Sequence, residues 1–385
     1  MLCRIEKLVH GGNGLARTVE GKRVFVEDAL PGELVKVSLF EEKQGWATAT
    51  VDELIEANEH RRLPACPYYG VCGGCDFQYA EDGYQALLNE QIVLDNLVRL
   101  GGVDLQSCTV EPVVTGQAWN YRNRVRFHVD LYAKQVGFLA RKSNTLVPID
   151  SCPVLVDALQ ALLTEPEPLF AAARRLMFAN KGGKGRYIEV PVFASDDGLS
   201  VLDQEVMTTV GGKRFFLSSE VFFQSNRFLV SALAEYVASK ALGSVVMDLY
   251  SGVGTFSAFL EQAGRKVIAV EKQKLCLSFA KRNVPFCSYY AEAVEIWAKG
   301  RKEQVDTVVV DPPRTGLDAT VPSLIASWKV KRIIYVSCYS VTLARDLQRF
   351  AAEGYTATSV RVFHLYPQTF HQEVVVVLDR MEKQA

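Results

Sequence analysis

No stretch of this chain holds the roughly 18 consecutive apolar residues that a membrane-crossing helix needs, so helical insertion into a bilayer is not expected. The N-terminal MLCRIEKLVHGGNG lacks the apolar core of a secretory signal, and a cytoplasmic protein is the expectation. Neither sign of charge dominates: 43 Lys and Arg meet 44 Asp and Glu, a formal net charge of −1. Without an overall basic field, any binding of nucleic acid has to rest on local clusters. There is no internal repeat and no low-complexity tract. What the chain does have is room and cysteine. Its 385 residues, 49% of them hydrophobic, suffice for two or three domains. Nine cysteines in a reducing compartment argue against a disulfide framework and for metal or catalytic uses.

Residues 1–57 read as short alternating strands punctuated by Gly and Pro, which predicts a small all-β barrel. A cysteine- and glycine-rich segment follows, CPYYGVCGGCDFQYA. From Asp82 to Leu100 apolar residues recur at helical spacing and stop at Gly101-Gly102, so a helix is predicted there. Residues from about 111 to 215 mix strand-like runs with one helical stretch, Val154 to Phe178, as in an α+β unit. Within it Arg122, Arg124 and Arg126 alternate and would share one strand face, either as an ion-paired surface or as a basic patch. Arg141, Lys142, Lys181, Lys184 and Arg186 add positive charge nearby. From about 240 the runs VVMDLY, KVIAVE, TVVVDPP and RIIYVSC alternate with helix-length segments, the pattern of a doubly wound parallel sheet.

In such sheets ligands sit at the carboxyl ends of the strands. The turn after VVMDLY carries Asp248, Gly252 and Gly254, and its glycines permit close backbone approach to a ligand at a helix start. It is not a G-x-x-x-x-G-K-[ST] phosphate loop, which counts against triphosphate hydrolysis. Glu271 ends the second strand, where ribose hydroxyls are often held, and Asp311 of DPPR ends the fourth. This set favours S-adenosylmethionine over a dinucleotide. RTG, not an aromatic residue, follows DPP, which moves the reading away from methylation of an exocyclic nitrogen. Cys338 emerges from the apolar run Ile333-Ile334-Tyr335-Val336, and Glu373 precedes the run Val374 to Leu378. A thiol and a carboxyl beside a nucleotide loop point to covalent catalysis, with a buried structural cysteine as the bland alternative. Cys66, Cys72 and Cys75 fall within ten residues, in a Gly-rich loop, and suit a soft metal, whereas Cys3, Cys108, Cys276 and Cys287 have no ligand spacing.

The motifs FFQSN, DLYSGVGTF, DPPRTG, SCY and PQTFHQE, spread over the chain, resemble those of the RNA uracil-5-methyltransferase family. The first 57 residues, with GGNGLAR, VFVEDALPGE and LVKV, resemble the TRAM domain, an RNA-binding barrel with an OB-like fold. The resemblance implies three parts: a TRAM barrel over 1–57, an α+β central domain with an iron–sulfur loop over 58–215, and a Rossmann-like class I methyltransferase domain over 216–385. The helix at 82–100 would pack on the last of these. By the family motifs Cys338 is the nucleophile that adds to carbon 6 of uracil and Glu373 the base that removes the carbon 5 proton. The methyl donor S-adenosylmethionine would contact Gln224, Tyr250, Thr255, Glu271 and Asp311. Cys66, Cys72, Cys75 and Cys152 look like the ligands of a [4Fe–4S] cluster in the subgroup that modifies large-subunit ribosomal RNA. That subgroup also includes transfer RNA enzymes. Zinc held by four thiolates is the rival, since spacing alone does not separate the two. Phe222, Phe223 and Tyr339 are candidates for an aromatic shelf under the target base, with core packing as the alternative for the phenylalanines. His371 is expected to be structural.

The expected enzyme is therefore a monomeric RNA methyltransferase, with ribosomal RNA favoured over transfer RNA. A radical S-adenosylmethionine enzyme would need C-x3-C-x2-C, and the spacing here differs. A 5-methylcytosine enzyme of the RNA family would carry a second cysteine where this chain has DPPR. An RNA-binding assembly factor with a vestigial site is the non-enzymatic alternative, and Cys338, Asp311 and Glu373 speak against it.

Overall fold

The alternation in the first segment becomes one sheet of six strands, Leu2–Arg4, Lys7–Leu8, Gly14–Arg17, Arg23–Val26, Leu34–Glu42 and Trp46–Glu56. The computed structural model describes residues 1–179, 186–262, 264–301 and 304–381, so Lys181 and Lys184 lie outside the described residues. Inward positions Val24, Val26, Val35, Val37 and Ala49 are buried together with Cys3 and Ile5. Period-2 patterning thus sorts one face into a core, as expected of strands.

The middle segment forms a five-stranded antiparallel sheet from Arg124–Asp130, Gln135–Leu139, Leu146–Pro148, Ile188–Ala194 and Leu199–Val201. The single helical stretch expected from Val154 to Phe178 is two helices, Asp157–Thr164 and Glu167–Phe178. Glu165 leaves helical geometry (φ −123°, ψ 76°) because it precedes Pro166, whose ring crowds a helical predecessor. Leu159, Leu162, Leu169 and Phe170 bury against Val190 and Val192 of the sheet.

The C-terminal sheet has eight strands, in the order Ser288–Tyr290, Lys266–Val270, Val245–Leu249, Thr307–Val310, Arg332–Ser337, Glu373–Arg380, Tyr355–Phe363 and Thr109–Val114. Two features depart from the expected parallel sheet. Glu373–Arg380 lies antiparallel to both its neighbours. Thr109–Val114, read as part of the middle segment, is the outermost strand and pairs parallel with Tyr355–Phe363. The apolar run of Glu373–Arg380, buried on both faces, carries no record of its direction, and the half-exposed Thr109–Val114 carries none of the distant strand that it pairs with.

The helix Asp82–Arg99 docks on this sheet through Val93 and Leu97, beside Leu343, Ala344 and Leu347 of the helix Ser340–Ala352. Gly101 closes it: a Cβ there would lie 2.6 Å from the Leu97 carbonyl and 3.3 Å from Ala344 Cα. Leu97 is fully buried. Leu97→Ala is expected to lower stability in urea unfolding by about 2–5 kcal/mol, the cost of lost burial plus a cavity. A loss below about 1 kcal/mol would show that the site collapses and that this helix adds little to the sheet.

Candidate active site

The strand Val245–Leu249 leads into Tyr250, which takes a left-handed φ of 65°, then through Gly252 and Gly254 into the helix Thr255–Gln262. At Gly254 a side chain would press within 3.1 Å of Val284, so the turn needs glycine there. Glu271, one residue past the strand Lys266–Val270, accepts hydrogen bonds from the Gly252 N–H (3.0 Å) and the Gln273 N–H (2.7 Å). Those bonds hold its carboxylate against the glycine loop. Tyr250, Thr255 and Glu271 therefore lie on adjoining βα turns, and the Asp311 N–H donates to Leu249 O at 3.3 Å from the neighbouring strand end. Gln224 approaches from another segment, where its Oε1 accepts from the Tyr366 hydroxyl at 3.3 Å. The sequence reading assigns no site role to Asp248, yet its buried carboxyl lies beside this set. One oxygen accepts from Ser257 Oγ at 2.6 Å and the other has no partner. Burial pushes that carboxyl up to about 7.

Antiparallel register places the two candidate catalytic groups. Ser337 lies opposite Val374, so one step further sets Cys338 across from Glu373. Directly opposed residues share a face, with Cβ atoms roughly 4.5–5.5 Å apart. Glu373 is buried, and one of its oxygens lacks a hydrogen-bond partner. Burial, then the charge of Asp311, holds its carboxyl well above the usual carboxylate range, while Arg314 opposes the shift. Asp311 rises to about 7 through burial and the neighbouring Asp248. Cys338 is half-buried, and its thiol is pushed up to about 12. Burial is the main cause, the carboxylates of Glu373 and Asp311 add to it, and Arg314 opposes by charge and hydrogen bonding. At rest the thiol is protonated, so nucleophilic attack requires proton loss during the addition itself.

A cleft of about 250 Å³ opens over Cys338, with Arg314, Tyr366, His371, Phe222 and Arg124 among its walls. Of the three aromatic candidates, Phe222 is 57% exposed, while Phe223 packs in the core against Phe193 and Phe215. Tyr339 meets the edge of His10, a residue of the N-terminal segment, at 4.6 Å. His371 lines the cleft, beyond the structural role expected of it, and burial with Arg314 nearby lowers its pKa to about 4. Arg314 was missed in the sequence; its place directly after the two prolines of DPPR was the available signal.

Cys66, Cys72, Cys75 and Cys152 line a second cavity, of about 230 Å³, and all four are free thiols. Burial raises Cys75 to about 12 and Cys152 to about 11. No three Cys, His, Asp or Glu side chains among the described residues are drawn together as around a single metal ion. Arg122 stands between the two cavities and lines both. The shared arginine face is divided: Arg126 pairs with Glu189 at 3.3 Å, while Arg122 and Arg124 have no carboxylate bonded to them among the described residues.

The model of the tRNA (uracil-5-)-methyltransferase family matches residues 299–381, which hold Asp311, Cys338 and Glu373, and that of the TRAM domain matches residues 2–51. An uncharacterized RNA methyltransferase of Treponema denticola is 30% identical over 97% of this chain and 98% of its own length. A 23S rRNA (uracil(1939)-C(5))-methyltransferase of Halomonas elongata is also 30% identical, over 97% of this chain and 88% of its own. The crystal structure of a Pyrococcus abyssi tRNA (uracil-54, C5)-methyltransferase with S-adenosyl-L-homocysteine shares the fold, with a TM-score of 0.75 over 98% of this chain and 100% of that one, at 20% identity. No helix among the described residues is long and apolar enough to cross a membrane. With relatives matching from end to end, an N-terminal TRAM sheet and a mixed α/β sheet that presents its loops for a methyl donor, this chain belongs to the S-adenosylmethionine-dependent RNA uracil-5-methyltransferase family.

Proposed function

We propose that the protein methylates carbon 5 of one uridine in 23S ribosomal RNA, with Cys338 as nucleophile and Glu373 as base. The observation that carries the assignment of roles is the register that sets Cys338 opposite Glu373 beneath a cleft walled by an exposed Phe222. The ribosomal substrate is supported by the Halomonas relative and by the four-cysteine set. The target base must leave its stack to reach such a cleft, and an exposed ring at its wall suits a flipped base.

Carbon 5 of uracil is a poor nucleophile. Addition of the Cys338 sulfur to carbon 6, with loss of the thiol proton, moves an electron pair toward carbon 5 and its neighbouring carbonyl. Arg314 lies where a cation favours the thiolate character that this addition needs. Gln224, Tyr250, Thr255, Glu271 and Asp311 would hold S-adenosylmethionine, which would supply an electrophilic methyl group to the activated carbon and leave as S-adenosylhomocysteine. Glu373 then removes the carbon 5 proton, and the carbon–sulfur bond breaks to release the base. A carboxylate whose pKa is raised by burial is a stronger base than one in water, which suits a carbon-bound proton.

The four thiols are free and line one cavity, which suits a [4Fe–4S] cluster; four thiolates would also hold zinc, and it is the family resemblance that favours the cluster. When bound, the cluster would cross-link the 66–75 loop to Cys152 and leave no open iron position. The residues around it act by holding these two segments, and the RNA is met by the N-terminal sheet and by the cleft.

RNA carrying 5-fluorouridine at the target should form an adduct resistant to denaturation, since fluorine does not leave as a proton, and Cys338→Ala should abolish it. Glu373→Gln should still transfer the methyl group but accumulate the covalent complex on a denaturing gel; normal turnover would remove Glu373 from the role of base. In the wild type the acidic limb of the kcat profile should lie well above pH 4.5. Glu373 must be ionised to act, its pKa is raised, and activity is therefore lost early as pH falls; a limb at or below 4.5 contradicts this. Anaerobically purified protein should carry iron and sulfide with a visible absorbance shoulder, and stoichiometric zinc in their place would replace the cluster. Loss of one 23S 5-methyluridine in a strain lacking the gene would support the ribosomal substrate, and loss from transfer RNA would overturn it.

A further inference from the structure

Four arginines and no acidic side chain among the described residues line the cleft over Cys338. Each arginine has a different electrostatic situation. Arg126 is exposed and pairs with Glu189, a contact that solvent screens. Arg314 is engaged with the Cys338 thiol. Arg122 lies where the Cys75 and Cys152 sulfurs face it. Arg124 has no carboxylate bonded to it among the described residues: one nitrogen donates to the carbonyls of Val221 (3.1 Å) and Ser219 (3.5 Å), and its buried Nε–H has no partner. Burial and the charges of Arg126 and Arg122 push its pKa down to about 10, so it remains a cation at neutral pH with nothing to balance it. Its guanidinium stands over the Phe222 ring, 5.6 Å from the centroid.

A desolvated guanidinium with a free donor costs stability unless a ligand supplies the missing anion. Its planar fork matches a phosphate, and the ring beside it matches a base. We propose that Arg124 binds a backbone phosphate next to the nucleotide whose base reaches Cys338. The cation so holds the target strand in register while Phe222 meets the base. This deepens the RNA-methylation reading and rests on it. Arg122, faced by the thiol cavity, is not part of this subsite.

The test uses the full-length protein and a short oligouridylate, titrated over a range of KCl. Arg124→Met should weaken binding about tenfold and reduce the slope of log K against log salt by about 0.7, the value for one phosphate contact on a single strand. Arg124→Lys should keep the slope and lose part of the affinity, because a point charge replaces a fork. Affinity for S-adenosylmethionine should be unchanged in both, which also reports that the variants fold. Moving a single neutral methylphosphonate along the oligonucleotide should locate one position that weakens wild-type binding and leaves Arg124→Met indifferent. An unchanged salt slope in Arg124→Met would overturn the proposal, as would an equal loss of S-adenosylmethionine affinity, which would assign the cation to the donor's carboxylate. A 5-fluorouridine oligonucleotide separates the two readings: at saturating concentration Arg124→Met should still form the Cys338 adduct. Failure of the wild type to form it would count against Cys338 and leave the phosphate assignment to the salt slope.

Discussion

One antiparallel pairing, between Arg332–Ser337 and Glu373–Arg380, carries the rest of the site. Had the last strand run parallel like the others, Glu373 would lie at the opposite end of the sheet from Cys338. Reversal brings the start of one strand to the end of the other, so a thiol and a carboxyl 35 positions apart become cross-strand neighbours. The pairing is rigid because Val374, Val375 and Val376 are fully buried between the two layers of the core. A slip of one residue would exchange the two buried faces of the valines and carry Glu373 out of register with Cys338.

The same sheet end concentrates carboxyls where water is scarce. Asp248, Asp311 and Glu373 are all shifted upward by burial, and Asp248 and Glu373 each keep an oxygen without a partner. Such groups cost stability and cluster where a ligand completes them. Cys338 feels the cost directly, since two of these carboxyls raise its thiol further. Arg314 and the flanking arginines oppose that field from the cleft side. The balance suits a nucleophile that stays protonated until its substrate arrives.

Other parts of the chain hold the loop that presents Glu373. The N–H groups of Asp76 and Phe77, directly after Cys75, donate to the Gln368 carbonyl, and the Tyr121 hydroxyl donates to Pro367 O. Gln85 bonds Gln368 from the helix Asp82–Arg99, and His10 reaches Tyr339 from the N-terminal sheet. Arg122 bridges by backbone to Leu155 on one side and Asn226 on the other, joining the segment of Cys152 to that of Gln224. Order in the cysteine loop is thus coupled mechanically to the walls of the cleft.

Local chemistry was legible in the residues alone. The strand ends at Cys338, Asp311 and Glu271, the glycine turn at 252–254 and the helix stopped by Gly101 all follow from periodicity and from what backbone turns demand. The arginine alternation announced a shared face, and the cysteine spacing three thiols on one loop, which line one cavity with Cys152. Tertiary structure alone decided the rest, because each remaining item depends on partners distant in the chain. The direction of Glu373–Arg380, a run buried on both faces, and the pairing of the half-exposed Thr109–Val114 at the far sheet edge are choices of partner that local sequence does not encode. Phe222 and Phe223 are neighbours of the same type and both border the cleft, and only packing left the first exposed and buried the second. The raised carboxyl of Asp248, the engagement of Arg314 with the Cys338 thiol and the unbalanced charge of Arg124 became visible only when burial and the identity of their neighbours were known, for electrostatics depends on surroundings and not on residue type.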